Sequence, residues 1–138
     1  MRILALDHGT KRIGVAISDE LKMIAQPLEY IPAEPFSGVL ERLRTLVREK
    51  EVDQIVVGMP RNMDGSYGEA AAKVREFVTV LREAIPLPLR TWDERLTSSQ
   101  ANRVLVEGGV RRQDRKEKVD AMAAALLLQG YLDSISMG

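Results

Sequence analysis

The sequence predicts an α/β fold in which helices cover a mixed sheet. Two observations carry that expectation. The chain opens on two short apolar runs, residues 3–6 and 13–17, separated by the polar hinge Asp7-His8-Gly9-Thr10-Lys11-Arg12. Runs of this length, rich in β-branched residues and bounded by glycine, read as strands, and so short a hinge makes them a hairpin. Further along, compact apolar runs alternate with segments of helical periodicity. That alternation joins strands through helix crossovers and so adds them parallel to their neighbours.

The elements follow in order. Residues 24–31 read as a third strand, with Pro27 suggesting either an edge position or a strand that starts after it, and 32–35 as a loop. Ser37 is expected to cap a helix running to about Lys50. Its inner face would be Phe36, Leu40, Leu43 and Val47, with Arg42, Arg44 and Glu49 largely off it. Residues 53–58 form a buried strand, closed by Gly58-Met59-Pro60 and followed by a loop at 61–65. Ser66 and Glu69 have capping-box spacing for a second helix. Its inner stripe is Val74, Phe77, Val78, Leu81 and Ile85, and Pro86 and Pro88 stop it. Residues 89–92 are a short strand running into Asp93-Glu94-Arg95. Thr97 and Gln100 open a helix to about Glu107, ended by Gly108-Gly109. The charged run RRQDRKEK, 111–118, reads as mobile, and a last helix covers about 116–133. The order is β-β-β-α-β-α-β-α-α, expected as a single domain over 1–138.

Composition sets bounds. The chain is 45% hydrophobic and 29% charged, ordinary for a globular protein. The absence of cysteine rules out disulfides and thiolate metal sites. No apolar run approaches membrane-span length, and the N-terminus enters a strand directly, so neither an anchor nor a signal peptide is expected; the cytoplasm is the expected location. Twenty basic and twenty acidic residues give a formal net charge of zero. That argues against an indiscriminate polycation, while a basic patch beside an acidic site remains compatible with it.

Three carboxylates stand at the rims of apolar elements. Asp7 ends the first strand, where a turn aspartate bonded to its own backbone is the alternative reading. Asp120 is the sole polar residue of VDAMAAALLL, 119–128, where the alternative is a first-turn aspartate stabilising a helix N-terminus. Asp93 and Glu94 close the short strand and point to opposite faces; the alternative is a solvated strand end. Taken together, an oxygen-only donor set suits Mg2+ or Mn2+. Without a cation, clustered acids would raise one another's pKa. The chemistry natural to such a set is phosphodiester hydrolysis, with two metals about 4 Å apart and no protein nucleophile. His8 could assist proton transfer, contact a phosphate or simply sit in the turn.

Lys11, Arg12, Arg61, Arg95, Arg111, Arg112 and Arg115, with Lys116 and Lys118, would surround converging acids and meet a phosphate backbone. Aromatic residues make up only 4% of the chain, which argues against a ladder of stacked bases. Recognition is expected through backbone and shape. The loop at 62–66 either offers its N–H groups to a phosphate or only starts a helix.

Four blocks, LALDHGTKRIGVAISD, IVVGMPRNMDGSYG, DERLTSSQA and VDAMAAALLLQGYLD, resemble in order and spacing the signature blocks of the YqgF/RuvX family. The family consists of RNase H-like proteins described as pre-16S rRNA nucleases and earlier as Holliday-junction resolvases. The resemblance implies an RNase H-like fold with a five-stranded mixed sheet and helices on both sides. It maps the acidic positions onto Asp7, Glu94 and Asp120, with Asp93 as the unresolved neighbour. It implies trimming of the 5′ end of the small-subunit ribosomal RNA precursor in the cytoplasm. Arg61 stands where the family more often carries an aliphatic residue. The expected partner is structured RNA, with a DNA junction as alternative, no membrane, and a monomer or homodimer. A non-catalytic RNA-binding assembly factor and, on the D-x-G-T hairpin, an actin-like phosphotransferase are the remaining alternatives.

Overall fold

The computed structural model describes residues 1–9, 11–60, 67–94 and 112–136, with the backbone alone at 94, 112–118 and 136. Five strands form one sheet: β1 (Arg2–His8), β2 (Arg12–Ser18), β3 (Ala25–Pro32), β4 (Val52–Pro60) and β5 (Leu89–Glu94). Their order is β3-β2-β1-β4-β5. The β1–β2 and β2–β3 pairs are antiparallel, and β1–β4 and β4–β5 are parallel. This is the mixed sheet the sequence predicts, with the proline-bearing β3 at one edge. The hairpin closes by a Gly9 N–H to Arg12 carbonyl bond of 3.0 Å, and a Cβ at Gly9 would crowd that same carbonyl.

Three described helices cover the sheet: α1 (Phe36–Glu49), α2 (Glu69–Ala84) and α3 (Arg112–Ser136). Strand alternation divides the core in two. Leu4, Leu6, Val15, Ile55 and Val57 pack on the face beneath Val39 and Leu43 of α1 and Val74 and Leu81 of α2. Ile3, Ala5, Ala16 and Val56 pack on the other face, beneath Ala124, Leu128 and Tyr131 of α3. The second face is lined by small residues, and α3 therefore lies close to the backbone. At its closest, a Cβ built on Gly14 of β2 would overlap the main-chain carbonyl oxygen of Asp120.

Several local expectations change. The α1 N-cap is Pro35, without a side-chain cap bond, and Ser37 is already helical. Its buried stripe is Val39, Leu43 and Leu46, with Leu40 and Val47 at the margin and Phe36 exposed. The stripe is thus turned by about one residue position from the expected one. Helix α2 is capped by Gly68, not by a serine box; Ser66 lies outside the described residues. Its expected inner residues Val74, Phe77, Val78, Leu81 and Ile85 are all buried. The helix expected over 97–107 lies outside the described residues. The charged run at 112–118 is the opening of α3 rather than a mobile loop; arginine, glutamine, lysine and glutamate are good helix formers. Among the described residues, no helix is long and apolar enough to cross a membrane.

Gly14→Ala must push α3 off the sheet or strain β2. It is expected to lower stability by about 1–3 kcal/mol in urea denaturation, whereas Gly38→Ala, with only a Pro35 side-chain carbon 3.8 Å from the built Cβ, is expected to be close to neutral.

Candidate functional site

Asp7 and Asp120 come from opposite ends of the chain and both border Gly14. In β1, Ile3 and Ala5 face α3, and two-residue alternation places Asp7 on that side near the strand's end. Gly14 is its cross-strand partner. The backbone of Asp120 presses on Gly14 from above. Asp120 lies more than two turns into α3, because the helix begins at Arg112. The first-turn reading of this aspartate is therefore overturned: dipole stabilisation fades within the first turn.

Asp120 is about half-buried. Its Oδ2 lies 2.8 Å from Arg12 Nε, yet among the described residues that buried oxygen has no aligned hydrogen-bond donor. The contact is an ion pair between the guanidinium and the carboxylate. Burial raises the Asp120 pKa above its usual value, and Arg12 opposes the rise. The Arg12 guanidinium also sits 5.7 Å from the centroid of the Tyr30 ring on β3. A buried carboxylate oxygen without a directed donor fits a hard divalent cation, whose preferred ligands are oxygens.

The third expected acid is at the end of β5. Position 94 is in register with Pro60 of β4 and lies two residues beyond Trp92. Trp92 stacks edge-on with Tyr131 of α3, ring centroids 5.6 Å apart, so even-numbered β5 positions belong to the α3 face. The β4 residue at the level of Trp92 is the buried Gly58, whose position offers no side chain to separate β1 from β5. The Glu94 side chain is outside the described residues. Asp93 turns the other way: the Tyr67 hydroxyl, just before α2, lies 3.0 and 3.1 Å from its two oxygens. Among the described residues, no group of three or more acids and histidines gathers in one metal-sized cluster.

Of the expected cations, Lys11 is exposed in the hinge and Arg12 is engaged by Asp120 and Tyr30. Arg112 and Arg115 fall in the opening turns of α3, described by backbone alone. Arg61, Arg95 and Arg111 lie outside the described residues. His8 points away from Asp7 and lies against Phe77 of α2, with centroids 4.7 Å apart. Burial lowers its pKa below 6.5. Gly14 was legible as a break in the alternation of β2, since an isolated strand glycine marks a close backbone approach. No pattern in the sequence pairs Tyr67 with Asp93.

An acid whose folded pKa is raised binds more protons folded than unfolded. Stability therefore falls as pH climbs from the unfolded value through the raised one, and stays lower above it. In chelator at pH 7, Asp120→Asn is expected to raise the melting temperature by about 2–4 °C. The difference should shrink as the pH falls to where native Asp120 is protonated; thermal scans across pH check both.

The chain matches a family model described as RuvX: Holliday junction resolvase, over residues 1–134. It is 48% identical over 133 residues to a Halothermothrix orenii protein named "Putative pre-16S rRNA nuclease", covering 96% of this chain and 95% of that one. A Geobacillus kaustophilus protein of the same name is 48% identical over 136 residues, covering 97% and 99%. Among solved structures, Thermus thermophilus RuvC superposes with a TM-score of 0.56 at 15% identity, covering 99% and 97% of the two chains. The fowlpox virus Holliday junction resolvase gives 0.57 at 15% identity, covering 97% and 99%. At these identities the likeness is one of fold, and that fold is the RNase H-like one. The match across nearly the whole chain and the relatives near half identity place this protein in the RuvX family.

Proposed function

We propose that this protein is a metal-dependent nuclease that hydrolyses phosphodiester bonds, acting on the 5′ end of the pre-16S ribosomal RNA in the cytoplasm. The observation that supports the reading is that Asp7 is the cross-strand partner of Gly14 while the Asp120 backbone lies against the same glycine, with a buried Asp120 oxygen that no described residue meets with an aligned donor. The names of the relatives supply the substrate.

Asp7, Glu94 and Asp120 would hold Mg2+ or Mn2+, which when bound supplies Lewis-acid polarisation of the phosphate and a more acidic water. The chain's own residues do the rest. Asp7, on a central strand, and Asp120, on a helix pressed against that sheet, fix their carboxylates on rigid elements. Gly14, paired with Asp7 and lying under the Asp120 backbone, lets the two elements come close. Arg12 offsets the charge of Asp120 and, with Lys11, offers cations to the phosphate backbone. Arg61, Arg95, Arg111, Arg112 and Arg115 extend that positive rim in the proposal. Asp93, held by Tyr67, is left out of the site, and Glu94 takes the third acidic position.

A second reading is favoured by the family model's own description: resolution of a DNA four-way junction. Cutting two strands symmetrically requires a dimer with paired sites, so the two readings differ in assembly as well as in substrate.

Purified protein incubated with pre-16S RNA and Mn2+ is expected to yield a defined new 5′ end on sequencing of the products, and chelator should prevent it. Asp7→Asn and Asp120→Asn should each reduce cleavage to background while circular dichroism stays native. Intact precursor after incubation, beside a synthetic DNA junction cut in two symmetric strands by a dimeric protein, would select the second reading.

A further inference from the structure

The other side of the β1 end holds a cavity that the acids do not use. It lies between α1 and α2, measures about 350 Å³, and is lined by His8, Phe36, Lys73, Glu76, Phe77 and Val80. The chain contains two phenylalanines and one histidine, and all three meet here. The His8 and Phe77 rings lie 4.7 Å apart with planes tilted by 42°, and Phe36 meets Phe77 edge-on at 6.1 Å. Phe77 belongs to the core, but Phe36 is 38% exposed. A core has no use for a phenyl ring left in solvent.

The chemistry is mixed in a way that fits one kind of ligand. The rings offer faces to a planar heteroaromatic group. Lys73 offers a point charge to a phosphate, and Glu76 an acceptor for an exocyclic amino group. The volume is near the lower end of small-ligand pockets, about 300–1,000 Å³, enough for one nucleotide and too small for a duplex. Position matters as much. His8 follows Asp7 directly in β1, and alternation sends the two side chains to opposite faces. The acids and the cavity therefore open at the same strand end, one residue apart.

We propose that this cavity is a subsite for one unstacked nucleotide of a single-stranded nucleic acid, its base against the exposed Phe36 ring and its phosphate at Lys73. The ligand class rests on the nuclease reading of the acid pair. The subsite holds a strand so that a neighbouring phosphate lies over Asp7. It also reconciles the low aromatic content with base recognition: the few rings present are spent on one base, not on a ladder.

The test is a metal-free titration of a short single-stranded oligoribonucleotide carrying 2-aminopurine at each position in turn, followed by anisotropy and by 2-aminopurine fluorescence. Wild-type protein is expected to quench the fluorophore at one position. Phe36→Ala, at an exposed site, should abolish the quench and weaken binding about tenfold. Lys73→Ala should keep the quench and reduce the salt dependence of binding by about one phosphate contact. Saturable binding with unaltered fluorescence at every position, or a quench that survives Phe36→Ala, overturns the subsite and leaves the nuclease reading standing. Absence of any binding also overturns the subsite, and the nuclease reading then rests on the precursor cleavage test in Mn2+ alone.

Discussion

The close approach of α3 to Gly14 governs the rest. A helix normally lies about 10 Å from the structure it packs on because side chains stand between. Here a glycine on β2 and a run of alanines on α3 remove that spacer. The helix backbone then reaches the sheet at Asp120, beside the strand that carries Asp7. The composition of 119–128 has the same cause. Alanine is chosen where a larger side chain would lift the helix, and the single aspartate interrupts the run where the helix passes the polar end of the sheet.

The sheet separates two chemistries by nothing more than alternation. Odd positions of β1 send Ile3, Ala5 and Asp7 to α3, and even positions send Leu4, Leu6 and His8 to α1 and α2. The same rule divides β5, with Trp92 stacked on Tyr131 and Asp93 held by Tyr67. Neighbouring residues thus serve opposite faces of one strand end. The parallel pairing of β1, β4 and β5 brings their carboxyl ends to the same edge of the sheet, where open α/β sheets place ligands.

Strand content and order were legible because each strand is a short apolar run with clear punctuation. Of the two readings Pro27 allowed, the edge strand holds and a start after the proline does not, since β3 runs through it; the hinge at Asp7–Arg12 marked the hairpin. Helix starts were less so. Ser37 and Ser66 carry the side chains of caps, but the α1 cap is Pro35 and the α2 cap is Gly68; a serine near a boundary fixes its existence better than its position. The run at 112–118 was misread because its charge density resembles a loop while its residue types favour helix. Of the proposed site, Asp7 and Asp120 stood out as candidates by their apolar surroundings, each beside a structural alternative. Asp93 and Glu94 had equal claims, since adjacent residues cannot be told apart until the register of Trp92 against α3 is known. The Arg12 contact is equally invisible in sequence, because it joins residues that only the packing of α3 brings together.

That the proposed site draws on both β1 and α3 has a consequence for the nascent chain. The β1–β2 hairpin can close as soon as it leaves the ribosome, and domains tend to fold as they emerge. Asp120 is made 113 residues after Asp7, and α3 cannot dock until it has emerged in turn. Every nascent copy that has not reached α3 therefore presents Asp7 without Asp120. On the proposed reading, a catalyst that cuts RNA stays inert while its own α3 is still inside the machine built from RNA.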